Sequence, residues 1–205
     1  MASRAYAVLA KTCAELDDAV IDESVVDAQS GENYHRMERT VHVRGKRGAH
    51  PVSITYWDAY RPHLSRISLQ RVELEMLEVF VADERMPIEA TCRRKRMLDG
   101  IGRWFGRGGW SSRSPSLRSL RIDVHEGRAE EALEEPSVAE ALAASTLRPD
   151  VSRLQLQRGT GVNLICHFGR STSARSIVEL TDEMCDVLER FARRGTGSPF
   201  RRGSA

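Results

Sequence analysis

No two of the four cysteines, Cys13, Cys92, Cys166 and Cys185, lie close enough to make a C-x-x-C pair. That spacing excludes the local signature of a zinc finger and of a secreted disulfide framework. It is the pattern of reduced, mostly buried thiols in a cytosolic protein. Long apolar runs are missing as well. The longest near the N-terminus, residues 5–10, is too short for a secretory signal core. No stretch reaches the roughly 18 apolar residues of a membrane-spanning helix. A membrane role is therefore expected to be peripheral.

Signatures of catalysis are equally scarce. The chain has no G-x-S-x-G elbow, no H-x-x-x-H helix spacing and no G-x-x-x-x-G-K-[ST] loop. Glycine-bearing segments at 44–48 and 158–161 each run into a strand-like segment and read as hairpin turns rather than phosphate loops. Asp123 and His125 fall two apart on an expected strand and share a face, the beginning of a general base or a metal site. A third ligand is missing nearby. Cys166 and His167 point to opposite faces of their strand, which prevents joint ligation. No cofactor and no metal are expected, and the chain reads as lacking catalytic machinery.

What is present is charge in blocks. Residues 15–32 hold seven acids (Glu15, Asp17, Asp18, Asp22, Glu23, Asp27 and Glu32) and no Lys or Arg. Residues 126–140 hold six acids against Arg128. Between residues 92 and 122 nine basic residues (Arg93, Arg94, Lys95, Arg96, Arg103, Arg107, Arg113, Arg118 and Arg121) face one acid, Asp99, a local charge of +8 in a chain whose total is +2. Pairing between the acidic and basic blocks within the monomer is the plain explanation of this pattern. The basic segment also carries Trp104, Phe105 and Trp110 among the glycines Gly100, Gly102, Gly106, Gly108 and Gly109. Those glycines disfavour a free helix and suit a loop that orders on contact.

Hydrophobic periodicity divides the rest. Tyr6, Leu9, Cys13, Leu16 and Val20 recur at helical steps, which predicts a helix over about 3–21. Alternation at 40–44 and 51–57 predicts a hairpin, followed by strands at 63–74 and 77–82 and a short one at 86–92. Pro62 and Pro87 suit strand starts or edges, because proline has no N–H to donate. Tyr56 and Trp57 must point to opposite faces, with Trp57 expected in the core and an exposed aromatic near Tyr60 and Arg61 suited to an interface. Residues 119–125 alternate, 126–145 should be helical with Pro136 dividing them, and 153–157 with 162–168 make a second hairpin. Ile177, Leu180, Thr181, Met184, Leu188 and Phe191 mark a C-terminal helix. Ser171, Thr172 or Ser173 would cap its start, and Gly195 would stop it.

These elements give an α+β protein with antiparallel sheet in two halves and an N-terminal and a C-terminal amphipathic helix packed on it. The expected divisions are 1–96 (helix and β-meander), 97–116 (basic, aromatic connector), 117–195 (β-α-β-β-α half) and 196–205 (flexible tail). One sheet shared by both halves is the competing arrangement. The expected function is that of a non-catalytic binding or accessory protein. Arg93, Arg94, Lys95, Arg96, Arg103 and Arg107 would attract a protein partner or an anionic membrane surface, with Trp104, Phe105 and Trp110 supplying apolar area. The same segment would serve a nucleic-acid binder. A third reading is an enzyme with its site near Asp123 and His125. A short Ser-Arg run at 111–116 is also a conceivable phosphorylation site.

Overall fold

The computed structural model describes residues 3–29, 35–64, 69–96, 110, 112–124 and 129–197. Within these, only the backbone is described for 26–29, 35–38, 59–64, 69–74 and 194–197.

The elements run α1 (Arg4–Cys13), β1 (Asp17–Gln29), β2 (His35–Arg47), β3 (His50–Leu64), β4 (Leu69–Ala82), β5 (Ala90–Arg94), a 3-10 turn (Pro115–Leu117) and β6 (Leu120–Val124). They continue as α2 (Ala129–Leu133), α3 (Pro136–Thr146), β7 (Val151–Gln157), β8 (Gly161–His167) and α4 (Ala174–Gly197). The fold is α+β, and all eight strands form one antiparallel sheet in the order β1-β2-β3-β4-β8-β7-β5-β6. Strands from both halves of the sequence thus join through the β4–β8 pair.

One row of side chains explains the register. Ile21, Val43, Ile54, Val79, Leu164, Leu154, Cys92 and Ile122 stand opposite one another across all eight strands. All but Ile21 are buried. A one-residue slip of any strand would move its member of this row to the other face. The helices cover this side: α1 lies on β1 and β2, α3 on β5 and β7, and α4 on β2, β4 and β8. Leu9, Leu142, Ile177, Leu180 and Met184 are buried beneath them. The opposite face carries a mixed set that includes His42, Thr55, Glu78 and His167.

The N-terminal helix is shorter than its periodicity predicts. It ends at Cys13, Leu16 is buried just beyond it, and Val20 lies on the outer face of β1. A helix reaching residue 21 would have placed Glu15, Asp17 and Asp18 near its C-terminus, where the macrodipole disfavours acids. The β-branched Val20, Ile21, Val25 and Val26 favour a strand. Ser3 caps the helix start, accepting from the Tyr6 N–H at 3.1 Å.

The predicted strands at 63–74 and 51–57 are also redrawn. β3 runs through Pro62 to Leu64, and β4 begins at Leu69. Proline is tolerated there because β2 pairs with β3 only as far as Trp57, so Pro62 has a neighbouring strand on one side alone. The strand predicted at 86–92 starts later, at Ala90, and Met86 and Ile88 are buried in irregular chain before it.

Both predicted hairpins form, as β2–β3 and β7–β8. In the second, Gly159 holds φ +66° with open space around it, whereas a Cβ on Gly161 would sit 2.1 Å from the Val81 carbonyl oxygen. Pro136 opens α3, and the Glu135 carboxylate caps it by accepting from the Val138 N–H at 2.9 Å. Ser173 is the start of α4: its hydroxyl accepts from the Ser176 N–H at 3.2 Å, and the Ser176 hydroxyl accepts from the Ser173 N–H at 2.9 Å. Gly195 does not stop that helix, which continues to Gly197.

Candidate binding surface

Four of the basic residues singled out in the sequence lie at one corner of the sheet. Arg93 and Arg94 end β5, and Lys95 and Arg96 follow it. Arg93 stands directly opposite Arg121 of β6, an arrangement of like charges that costs stability unless something offsets it. Asp123 supplies part of the offset, accepting from Arg121 Nε at 3.1 Å.

Arg94 donates to the Leu147 carbonyl at 2.8 Å, at the C-terminal end of α3. Lys95 Nζ donates to the Arg118 carbonyl, at the end of the 3-10 turn, and the Lys95 N–H donates to the Ser119 carbonyl at 2.9 Å. Both cations therefore sit at helix C-termini, where carbonyl oxygens accumulate. A carbonyl oxygen orients a cation without cancelling its charge. Arg118 is exposed beside them.

Trp110 is half-buried, bridged to Ile122 and packed against the core. It extends the apolar row beyond β6 by one further position, so its indole is engaged by the protein itself. Arg103, Trp104, Phe105 and Arg107 lie outside the described residues. The loop that follows Trp110 is fixed by Glu134, whose carboxylate accepts from the Arg113 N–H at 2.7 Å, the Ser114 N–H at 3.0 Å and the Ser112 hydroxyl at 3.1 Å. Nothing in the local sequence signals this clasp, because Glu134 is on the far side of β6 and α2.

Three acids of the 15–32 block are paired, and by the adjacent strand rather than by the mid-chain basic block. Asp18 meets Lys46 at 2.8 Å, Asp22 meets Arg44 at 2.9 Å and Glu23 meets Arg39 at 3.3 Å, all across the β1–β2 pair. The Lys46 ammonium holds the Asp18 carboxyl below its ordinary range, by a hydrogen bond first and by charge second. Arg47 forks onto Asp182 of α4 at 2.6 and 2.9 Å. An open cleft of about 440 Å³ lies there, lined by Asp17, His50, Cys185 and Glu189 among others.

Among the described residues, Asp123 and His167 do not converge. His125 lies outside the described residues. Asp123 aligns through Thr91 and Gln155 with Asn163, four residues short of His167. Ordinary strand spacing and rise put Asp123 and His167 on the order of 20 Å apart. Cys166 is buried while His167 is exposed, as alternation requires. His42 shares a hydrogen bond with the Thr55 hydroxyl at 2.9 Å, and the buried His50 lies 3.7 Å from Asp83. Arg85 grips Asp83 through two side-chain bonds and a backbone N–H, and those bonds hold its carboxyl below the usual range. Burial pushes the Cys92 and Cys166 thiols up to about 12 and that of Cys185 up to about 11. Among the described residues no three metal-ligating side chains cluster.

The second aromatic concentration resolves in the opposite sense to expectation. Tyr56, not Trp57, is in the core, because Tyr56 is in register with the buried Val41, Leu77 and Cys166. Its ring meets Phe168 edge-on at 5.0 Å and its hydroxyl donates to Glu75 at 2.9 Å. Burial, then that carboxylate, raises the Tyr56 pKa. Arg4 lies over the same Phe168 ring at 5.2 Å. Trp57 is half-buried on the opposite face of the sheet.

Among the described residues no helix is long and apolar enough to cross a membrane. No protein-family model matches the chain, and neither a curated protein nor a solved structure does.

Proposed function

We propose that this chain is a non-catalytic binding or accessory protein that docks its basic corner on an anionic membrane surface. The reading is supported by one arrangement above others: Arg93 faces Arg121 across β5–β6, with Arg94 and Lys95 held beside them by carbonyl oxygens. Cations grouped at one corner of a surface attract an anionic partner. Arg96 and Arg118 are exposed at the same corner. Arg103, Trp104, Phe105 and Arg107 follow Arg96 in the sequence and lie outside the described residues. Four free cysteines fit a reducing, cytoplasmic compartment.

An acidic protein partner is the second reading, favoured by the engagement of Trp110 with the core, which leaves charge as the corner's main offering. A cation within the field of an anionic leaflet contributes about 1 kcal/mol. Reversing two of them, as Arg96→Glu with Arg118→Glu, is expected to lower partition onto phosphatidylserine vesicles at least about tenfold. Loss of a co-purifying partner in that variant, with no vesicle binding by the wild type, would select the protein reading. Affinity for single-stranded DNA falling linearly with salt on logarithmic axes would select nucleic acid instead. A variant indistinguishable from wild type in all three assays would end the proposal.

A further inference from the structure

The two edges of the sheet differ. β6 is met by Trp110 at Ile122, whereas the outer side of β1 meets no strand among the described residues. β1 is 13 residues long, and its pairing with β2 is regular from Val20 to Gln29. Such an edge is a template for another strand, and natural edges are commonly blunted by lysine, proline or bulges. β1 contains no Lys, Arg or Pro, and its irregularity is confined to the Asp17–Val20 end. The exposed large apolar side chains among the described residues are Val20, at 56%, and Val25, at 46%, and both are on this strand.

Charge decides what this edge would accept. The carboxylates of Asp18 and Asp22 remain 75% and 57% exposed although each has a partner on β2. A carboxylate has about four lone-pair sites, so one cation on the inner side leaves capacity on the outer side. A second copy of β1 would bring acids against acids, which is unfavourable for residues directly opposite. An extended segment that alternates Lys or Arg with β-branched residues would set cations beside Asp22 on one face of the strand and apolar groups beside Val25 on the other.

We propose that the outer edge of β1 accepts an extended basic segment of a partner protein as an added antiparallel or parallel strand. Backbone hydrogen bonds along the edge give the affinity, and Asp18 and Asp22 select positive charge. This surface is at the opposite edge of the sheet from the basic corner and stands independently of it.

The test titrates the full-length protein with three labelled synthetic peptides of equal length: alternating Lys-Val, alternating Lys-Pro and alternating Glu-Val. The Lys-Val peptide should bind and slow amide exchange in residues 20–26. The Lys-Pro peptide, equal in charge but without N–H groups at its prolines, should bind at least about tenfold more weakly. The Glu-Val peptide should not bind. Asp22→Lys should weaken Lys-Val binding at least about fivefold, and the wild-type peptide series decides the matter if that variant misfolds. Equal binding of the two basic peptides, binding of the acidic one, absence of binding, or unchanged exchange in β1 would each overturn the proposal.

Discussion

Arg39 donates its backbone N–H to the Asp58 carboxylate at 2.7 Å, just where the β2–β3 ladder ends at the Thr40–Trp57 pair. A side-chain oxygen here takes the place of the next strand carbonyl. Beyond this point β2 keeps β1 as its neighbour and β3 keeps β4, with no pairing between β2 and β3. Asp58→Ala should lower stability by about 1.5 to 3 kcal/mol, the usual worth of a hydrogen bond to a charged acceptor. Asp58→Asn, which keeps an acceptor oxygen, should lose less. Urea unfolding midpoints of the two variants against wild type would show the ordering; equal losses would mean the carboxylate's charge, not the bond, matters.

Gly161 and Gly159 should respond differently to alanine. At Gly161 the added carbon meets the Val81 carbonyl at 2.1 Å, in the β4–β8 pair that joins the two halves of the sheet. The expected cost is about 3 kcal/mol or more, since backbone must move. At Gly159 the space is open and only the positive φ is penalised, for about 1 kcal/mol. Thermal melts of both variants would reveal the gap, and similar melting temperatures would contradict it.

Arg85 should make stability depend on acidity through Asp83. The Asp83 carboxyl titrates below its ordinary value because Arg85 bonds it, and His50 adds a smaller push in the same direction. A lowered folded-state value means the contribution is fully present above the unfolded value, near 3.8, and is lost as pH falls through the lowered one. Arg85→Ala should therefore be less stable than wild type at neutral pH, with the difference shrinking below about pH 4. A difference that stays constant from pH 7 to pH 3 would show that Arg85 acts by packing alone.

The thiols should divide into two pairs. Cys92 and Cys166 are buried, while Cys13 and Cys185 are half-buried. In the folded protein at pH 8, Ellman's reagent should leave Cys92 and Cys166 unmodified and reach Cys185 slowly, its thiol being pushed up to about 11. Denaturant should release all four. Rapid labelling of Cys92 would contradict its place in the buried row.

Alternation was legible wherever a strand has one apolar face. The stretches 40–44, 51–57, 120–124, 153–157 and 162–167 all lie in strands for that reason. Tyr6, Leu9 and Cys13 also read correctly as helix, but the same step of three and four carried the prediction on to Leu16 and Val20, which fit both periods. Acids at a helix end and a β-branched run were the signals that separate the two. The choice between Tyr56 and Trp57 needed the register with Val41 and Leu77, which only the folded sheet supplies. The carbonyl bonds of Arg94 and Lys95, and the Glu134 clasp, depend on residues brought together from distant segments. The charge blocks were legible; their partners were not, since Asp18, Asp22 and Glu23 of β1 are paired by Lys46, Arg44 and Arg39 of the adjacent strand.

Co-sedimentation with vesicles tests the basic corner most directly. Wild-type protein should pellet with phosphatidylserine-containing vesicles and not with neutral phosphatidylcholine vesicles, and Arg96→Glu with Arg118→Glu should remain in the supernatant. Equal pelleting on both lipids, no pelleting on either, or an unimpaired double variant would contradict docking of this corner on a membrane.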